Sequence, residues 1–462
     1  MFIIIMVRGF VNRSDELEFL NEAWGRDGGE VIVIYGRRRT GKTELIKQFS
    51  EDKELVYFLA DERSIDSNID RFAKTVSDSL EVTKPGVESF EQIFKYIQEN
   101  TSSEIIVAID EFSYLVDTDE AIPSVFQRII DEQLEEDIFL ILCGSSVSMM
   151  LEGVLSYDSP LYGRRTGQWK VKPMDFQNSI KFVPKYNTEE QITTYSVTGG
   201  IPAYLQKIDD EKILIDNIDE KILSKGKFLH EETKLLLTQE LRKPARYFDI
   251  LEKIAAGNTK PSEIAKGINV ETSNLSPYLN KLQELEIIQK ETPITTEKKR
   301  GVYRIKDDFF RFHFSYVYPN KSDLESGETQ EIKEEIQEKL PQHTSETFEK
   351  VCRETIKKET NYSKTGRWWY KEEEIDIVAL KEGEEKILFG ECKWTKEQVG
   401  MKLLKDLEGK SGKVRWRNQE SRNEEYVLFS KNGFTEELSE EAEGRDDLRL
   451  YGLERVSSVF QD

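Results

Sequence analysis

An α/β architecture spread over several domains is what this chain of 462 residues predicts, and three stretches predict it. Residues 31–35 are a strand-length run of β-branched and aromatic side chains. They lead straight into Gly36-x-x-x-x-Gly41-Lys42-Thr43, and a helical pattern of Leu45, Ile46 and Phe49 follows. A second apolar run, 105–109, ends in Asp110 and Glu111. Far downstream, an alternating stretch at 374–378 returns through a turn at 381–385 into a strand at 387–394. One arm carries Asp376 and the other Glu391-Cys392-Lys393.

Strand, glycine-bounded loop and helix together make a phosphate-binding loop, so the chain is expected to bind a nucleoside triphosphate, ATP, with Mg²⁺. Gly36, Thr40 and Gly41 are assigned to the phosphates, because glycines let backbone N–H groups turn inward while the helix points its positive end at the anion. Lys42 reaches the β- and γ-phosphates and the Thr43 hydroxyl holds Mg²⁺. Asp110 then orients the metal shell, and Glu111 positions the attacking water or takes its proton. A third strand, 138–143, ends in Gly144-Ser145-Ser146, where a hydroxyl can bond the γ-phosphate or the water; Ser145 is the first choice and Ser146 the second.

The remaining elements follow in order. Asn12 reads as the N-cap of a helix whose Leu17, Leu20 and Trp24 share a face, and residues 25–29 break the chain before the first strand. A further strand is expected at 55–60, then helices to about residue 100. Residues 170–240 are helical and acidic.

The sequence from 10 to 205 resembles the archaeal branch of the AAA+/STAND ATPases. Its matching pieces are Asn12-Arg13 with Glu16-Leu17, the phosphate loop, Asp110-Glu111, Gly144-Ser145-Ser146, Pro160-Leu161-Tyr162-Gly163-Arg164-Arg165 and Gly199-Gly200-Ile201-Pro202. The resemblance implies an arginine that reaches a phosphate, often from a neighbouring subunit of a homo-oligomer; Arg164 and Arg165 both match. It also implies a helical lid in which Gly200 and Pro202 pack on adenine, although proline is equally favoured at a first helical position.

Residues 244–318 change character. Helices are expected around Phe248, Ile250, Leu251 and Ile254, at 261–265 and at 271–285. A hairpin follows, with Lys298, Lys299 and Arg300 in its turn. Three helices and a basic hairpin resemble a winged helix-turn-helix domain. From 246 to 306 there are 11 Lys/Arg against 8 Asp/Glu, inside a chain of net charge −22. Thr272, Ser273, Asn274 and Ser276 stand where a recognition helix meets DNA. Winged helices also serve as protein-contact modules, and the acidic whole repels phosphate at long range unless basic patches or salt intervene.

A polar stretch containing Gly327 reads as a linker. Beyond it, a helix at 345–358 and the acidic hairpin resemble the PD-(D/E)XK nuclease fold. The resemblance implies that Asp376 and Glu391 share a Mg²⁺ or Mn²⁺ with Glu349 on the helix, while Lys393 positions a water or stabilises the developing phosphorane charge. No proline precedes Asp376, and Glu-x-Lys recurs by chance at Glu51/Lys53, Glu232/Lys234, Glu331/Lys333 and Glu408/Lys410. An inactive relic of the fold stays open.

The expected organisation is therefore a P-loop AAA+-like ATPase core at 1–170, a helical lid at 171–243 and a winged helix at 244–318. A linker at 319–340 and a restriction-endonuclease-like α/β domain at 341–462 complete it. The expected partners are ATP and, through the last two domains, DNA. Three scattered cysteines without metal spacing, and no apolar run long enough to span a bilayer, point to a reducing cytoplasm, no structural zinc and no membrane. The apolar start at 1–6 is an edge strand or an upstream start codon before Met6.

Overall fold

The computed structural model describes residues 10–461 apart from 27, 135–136, 242, 296–300, 418 and 420–421. The chain divides into two compact units, Met1–Pro173 and Met174–Asp462.

In the first unit five parallel strands stand in the order β2-β3-β4-β1-β5. They are β1 (Glu30–Tyr35), β2 (Glu54–Leu59), β3 (Ile105–Asp110), β4 (Ile138–Gly144) and β5 (Gly167–Lys170). Every residue of β1, β3 and β4 is buried, because helices cover both faces of a parallel sheet. Alternate side chains therefore feed two cores. Val31, Val33, Val107 and Leu140 face one, while Ile32, Ile34, Ala108 and Ile141 face the other. Four strands match expectation to within a residue or so. The fifth is an addition: Gly-Gln-Trp-Lys has no apolar run, as suits a short edge strand exposed along one side. The first helix, Ser14–Trp24, has Arg13 rather than Asn12 at its N-cap. What matters for function is that β1, β3 and β4 end side by side, in the place where open α/β sheets bind ligands.

The second unit holds the rest. Its helical segment includes Thr188–Thr198, Pro202–Leu205 and Phe228–Glu240. Helices Ala245–Ala255, Pro261–Gly267 and Ser276–Glu284, with the ribbon β6 (Ile288–Glu291) and β7 (Val302–Ile305), form the winged helix. Its third helix starts later than expected. Thr272–Asn274 is a separate 3₁₀ turn, leaving Thr272, Ser273, Asn274 and Ser276 exposed. The basic turn Lys298-Lys299-Arg300 lies outside the described residues.

The C-terminal sheet has the order β12-β11-β10-β9-β8. Its strands are β8 (Lys364–Tyr370), β9 (Glu373–Lys381), β10 (Lys386–Lys393), β11 (Asn423–Ser430) and β12 (Leu448–Gly452). β8, β9 and β10 run antiparallel, and β10 to β12 parallel. Phe348, Val351 and Ile356 pack on one face, Leu404, Leu407 and Leu438 on the other.

The linker expected at 319–340 is not an open connection. Lys321–Ser326 is a helix, and a 30-residue helix, Gln330–Glu359, starts within the same stretch. Its buried residues Leu324, Ile332 and Ile336 are too sparse for a strong apolar pattern, although they suffice to dock the segment. Pro341 lies inside the long helix, so the expected boundary at 341 falls in mid-helix. The expected lid also shares a core with the C-terminal sheet: Phe176, Ile192 and Tyr195 join Phe348 and Phe429 in one cluster. Among the described residues no helix is long and apolar enough to cross a membrane.

Candidate functional site

The loop after β1 is shaped by close backbone approach. Gly36 has φ +150°, and a Cβ there would stand 2.3 Å from the Val171 carbonyl oxygen. Arg13 braces the loop from below, donating to the Thr40 carbonyl at 2.6 Å and pairing with Glu16 at 2.9 Å. The Thr40 hydroxyl donates to the Arg37 carbonyl at 2.9 Å, so its side chain is spent within the loop. Lys42 is buried and folds back over the loop, donating to the carbonyls of Gly36 (2.8 Å) and Arg37 (2.9 Å). Burial pushes its pKa down, against the attraction of Cys143, Glu111 and Asp110.

Thr43 and Asp110 meet directly, Thr43 Oγ1 donating to Asp110 Oδ2 at 2.8 Å. Asp110 also accepts from the Tyr57 hydroxyl and, at 2.9 Å, from the Glu111 N–H. Burial raises the Asp110 pKa, but hydrogen bonds from Tyr57, Cys143 and Thr43 outweigh it and hold the carboxyl below its usual range. An ionised carboxylate beside a threonine hydroxyl is a hard-oxygen donor pair that suits Mg²⁺.

Glu111 has φ 55°, a left-handed conformation that costs a non-glycine residue about 1–3 kcal/mol and collects at functional positions. Both its carboxylate oxygens accept from Ser145 Oγ at 2.6 Å, and Oε2 also accepts from the Ser145 N–H at 3.2 Å. Of the two candidate serines, Ser145 is therefore the one beside the acid; Ser146 caps the short helix Val147–Met149.

The two arginines differ. Arg164 donates through Nε to both oxygens of Asp131, at 2.9 and 3.0 Å, and through Nη1 to the Pro160 carbonyl at 3.0 Å. Arg165 lies over the Tyr162 ring, and its Nη1 has no hydrogen-bond partner among the described residues. Pro202 belongs to the second unit, where it is buried at the first turn of Pro202–Leu205. Gly200 is required by backbone contact there, since a Cβ would stand 1.8 Å from the Met174 carbonyl.

The C-terminal hairpin brings its acids together as its register dictates. Gly390 pairs with Ile377, so Glu391 and Asp376 are the next residues on their strands. Asp376 Oδ2 accepts from the Cys392 N–H at 3.0 Å. Glu391, 2% exposed, takes Lys393 at 3.2 Å on one oxygen and Lys410 at 2.6 Å on the other. Burial and the Asp376 charge both push the Glu391 pKa up, while the two lysines oppose them. Glu349 points from the long helix into the same field. Burial and Asp376 push its pKa up to about 7, against Arg367, which donates to it, and Arg353 at 3.5 Å. Burial lowers the Lys393 pKa, but Glu391 and Asp376 outweigh it and leave the group raised. Glu349 and Glu391 thus each feel the Asp376 charge, yet the three acids' oxygens do not all come within 4.8 Å of one another.

Sequence reasoning missed Tyr57, Arg13, Arg367, Arg353 and Lys410. Arg13 stands within the pieces that carry the resemblance, but nothing in its spacing assigns it a role. Lys410 falls among the chance Glu-x-Lys pairs.

Comparison with known proteins fits this anatomy. Residues 10–208 match a family described as an ATPase domain predominantly from Archaea, 246–308 a winged helix-turn-helix, and 313–406 a family of archaeal and bacterial proteins of unknown function. An uncharacterised protein of Methanocaldococcus jannaschii is 40% identical over 416 residues, covering 87% of this chain and 92% of the relative. An uncharacterised ATP-binding protein of the same organism is 24% identical over 267 residues, 46% of this chain and 73% of that one. Among solved structures, a Walker-type ATPase of Pyrococcus abyssi covers 66% of this chain and 96% of its own, with TM-score 0.50 and 20% identity, a likeness of fold.

Proposed function

The chain belongs to a family of archaeal P-loop ATPases that carry a winged helix and a C-terminal PD-(D/E)XK-like domain, and from that premise we propose that ATP hydrolysis in the first unit governs DNA binding and metal-dependent cleavage by the second. The observation that carries this reading is that strand register sets Asp376 opposite Glu391, with Lys393 on Glu391 and Glu349 within the field of Asp376.

In the ATPase, Lys42 leaves the carbonyls of Gly36 and Arg37 for the β- and γ-phosphates of ATP. Thr43 and Asp110 would hold Mg²⁺, which would supply charge neutralisation at the phosphates. Glu111, kept in place by Ser145, positions a water and receives its proton as the γ-phosphoryl group departs. Arg165 is the better-placed candidate for a phosphate contact in a homo-oligomer, since Arg164 is tied to Asp131.

In the C-terminal domain Asp376, Glu391 and Glu349 are hard oxygen donors that suit Mg²⁺ or Mn²⁺, which would polarise a scissile phosphate there. Lys393 adds positive charge where the pentavalent phosphorus gathers negative charge. The winged helix holds the duplex through its exposed 3₁₀ turn and its ribbon.

A second reading is an ATP-driven switch whose C-terminal domain only binds a nucleic acid or a protein. One observation favours it: Glu391 and Glu349 are already met by lysines and arginines of the chain itself. Incubating the full chain with DNA and RNA, with Mg²⁺ or Mn²⁺ and with or without ATP, separates the two. The nuclease reading expects cleavage that Asp376→Ala, Glu391→Ala or Lys393→Ala each abolishes while ATP hydrolysis persists. No cleavage of any substrate in any nucleotide state leaves the switch.

A further inference from the structure

Two of the three histidines in the chain face one cavity of about 340 Å³ in the second unit. His230 is on the helix Phe228–Glu240, and His313 opens a π-helical turn, His313–Val317. Phe248 and Pro244 supply apolar wall between them.

His230 is oriented as a metal ligand would be. Its Nδ1 is 2.9 Å from the Ile222 carbonyl oxygen, which can only accept, so Nδ1 carries the proton and Nε2 keeps its lone pair. Ile222 belongs to another π-helical turn, Asp219–Leu223. Such turns are uncommon and recur at functional positions. Nε2 is 4.0 Å from a Glu231 carboxylate oxygen. Glu325 completes the set: one ligand atom from each of His230, Glu231 and Glu325 lies within 4.8 Å of the others, and among the described residues no other such group occurs.

His313 is the second and independent observation. It is 5% exposed, it lines the same cavity, and its Nδ1 has no hydrogen-bond partner among the described residues. A buried ring nitrogen without a partner is destabilising, and water brought into the cavity by a bound ion would relieve it.

We propose that His230, Glu231 and Glu325 bind a divalent transition cation of the zinc class, beside the cavity that His313 also lines. Imidazole with carboxylate suits zinc and its neighbours better than Mg²⁺, which prefers oxygen alone. Such an ion fastens the helix Phe228–Glu240 to the helix Lys321–Ser326, on either side of the winged helix in sequence. Metal motifs of closely spaced Cys and His do not describe it, because its ligands are an adjacent pair and a residue far along the chain. Lys225, 3.0 Å from Glu325, competes for that carboxylate.

The test is equilibrium dialysis of the full chain, stripped by chelator and free of nucleotide, against Zn²⁺ alone. The background is Asp376→Ala/Glu391→Ala, which removes the carboxylate site on the C-terminal sheet. The proposal expects one bound equivalent there. His230→Gln and Glu325→Gln should weaken it on the order of 100-fold, and Lys225→Ala should tighten it several-fold. Glu325 is partly exposed and its variant keeps the fold, so a loss confined to His230→Gln does not support the site. Unchanged zinc content in Glu325→Gln, or no bound zinc in the background, overturns it.

Discussion

The phosphate loop and the C-terminal acids, the two places for which phosphate chemistry is proposed, are prepared in opposite ways. At the loop the working groups already touch one another: Thr43 bonds Asp110, and Ser145 bonds Glu111. Lys42 alone must move, and it rests on carbonyls at the lip of the loop. At the C-terminal site the acids touch the chain's own cations, with Lys410 and Lys393 on Glu391 and Arg367 and Arg353 on Glu349. The first site needs only its ligand. On the proposed reading the second also needs Lys410 and the two arginines to give up the carboxylates they hold.

The largest effect that breaks or upholds this contrast is at the first site. Lys42→Ala should abolish hydrolysis and weaken nucleotide binding. Glu111→Gln should retain ATP while turnover falls by about 10²–10⁴-fold, the usual worth of a general base. Wild-type-like turnover in Glu111→Gln removes the glutamate from its role and with it the idea of a prearranged site.

A smaller effect sharpens the other half. If Lys410 stands where a metal must come, Lys410→Ala should lower the Mn²⁺ concentration that half-saturates the C-terminal site, measured by calorimetry without nucleotide. Weaker binding in that variant would make Lys410 part of the site rather than its obstacle.

Acidity gives a third handle. With its pKa raised to about 7, Glu349 is protonated below neutrality and becomes an anionic ligand only above it. Metal binding at this site should therefore tighten as pH rises through about 7, and Glu349→Gln should flatten that step. The sign for folding is opposite. A carboxyl raised in the folded state costs stability as pH climbs from its unfolded value near 4.5 through 7, so Glu349→Gln should be relatively more stable on the alkaline side.

The smallest expected effect concerns the ribbon. Replacing Lys298, Lys299 and Arg300 with Ala should reduce the salt slope of duplex binding by roughly one unit for each phosphate the ribbon no longer neutralises. An unchanged slope, measured by titration at several salt concentrations, makes the winged helix a protein-contact module.

The difference between the sites also explains what the sequence could disclose. The phosphate loop is local, and its partners Asp110 and Ser145 sit at the ends of apolar strands, so period and motif find them. Asp376 and Glu391 are legible for the same reason, being held by a hairpin. Lys410 is not, because it reaches Glu391 from the helix Met401–Ser411, across a loop that no spacing rule covers. Arg367 is hidden on β8, a strand whose alternation is broken by a bulge between Gly366 and Trp368. The stretch at 319–340 reads as a linker because its few apolar residues are just enough to dock a helix whose other side is solvated.

That helix has a mechanical consequence. Pro341 cannot donate to the preceding turn, so any bend in Gln330–Glu359 is concentrated there. Upstream, Lys333 ties the rod to Asp216 and Asp219, at 2.9 and 3.3 Å. Downstream, His343 lies 3.0 Å from the Ser196 carbonyl on Thr188–Thr198, and Thr347 bonds Asp308 at 2.9 Å. Glu349 follows His343 by about 9 Å of helix at the usual rise, with no joint between them. The grip on Thr188–Thr198 and the acid are therefore on the same side of Pro341, carried by one unbroken stretch of helix.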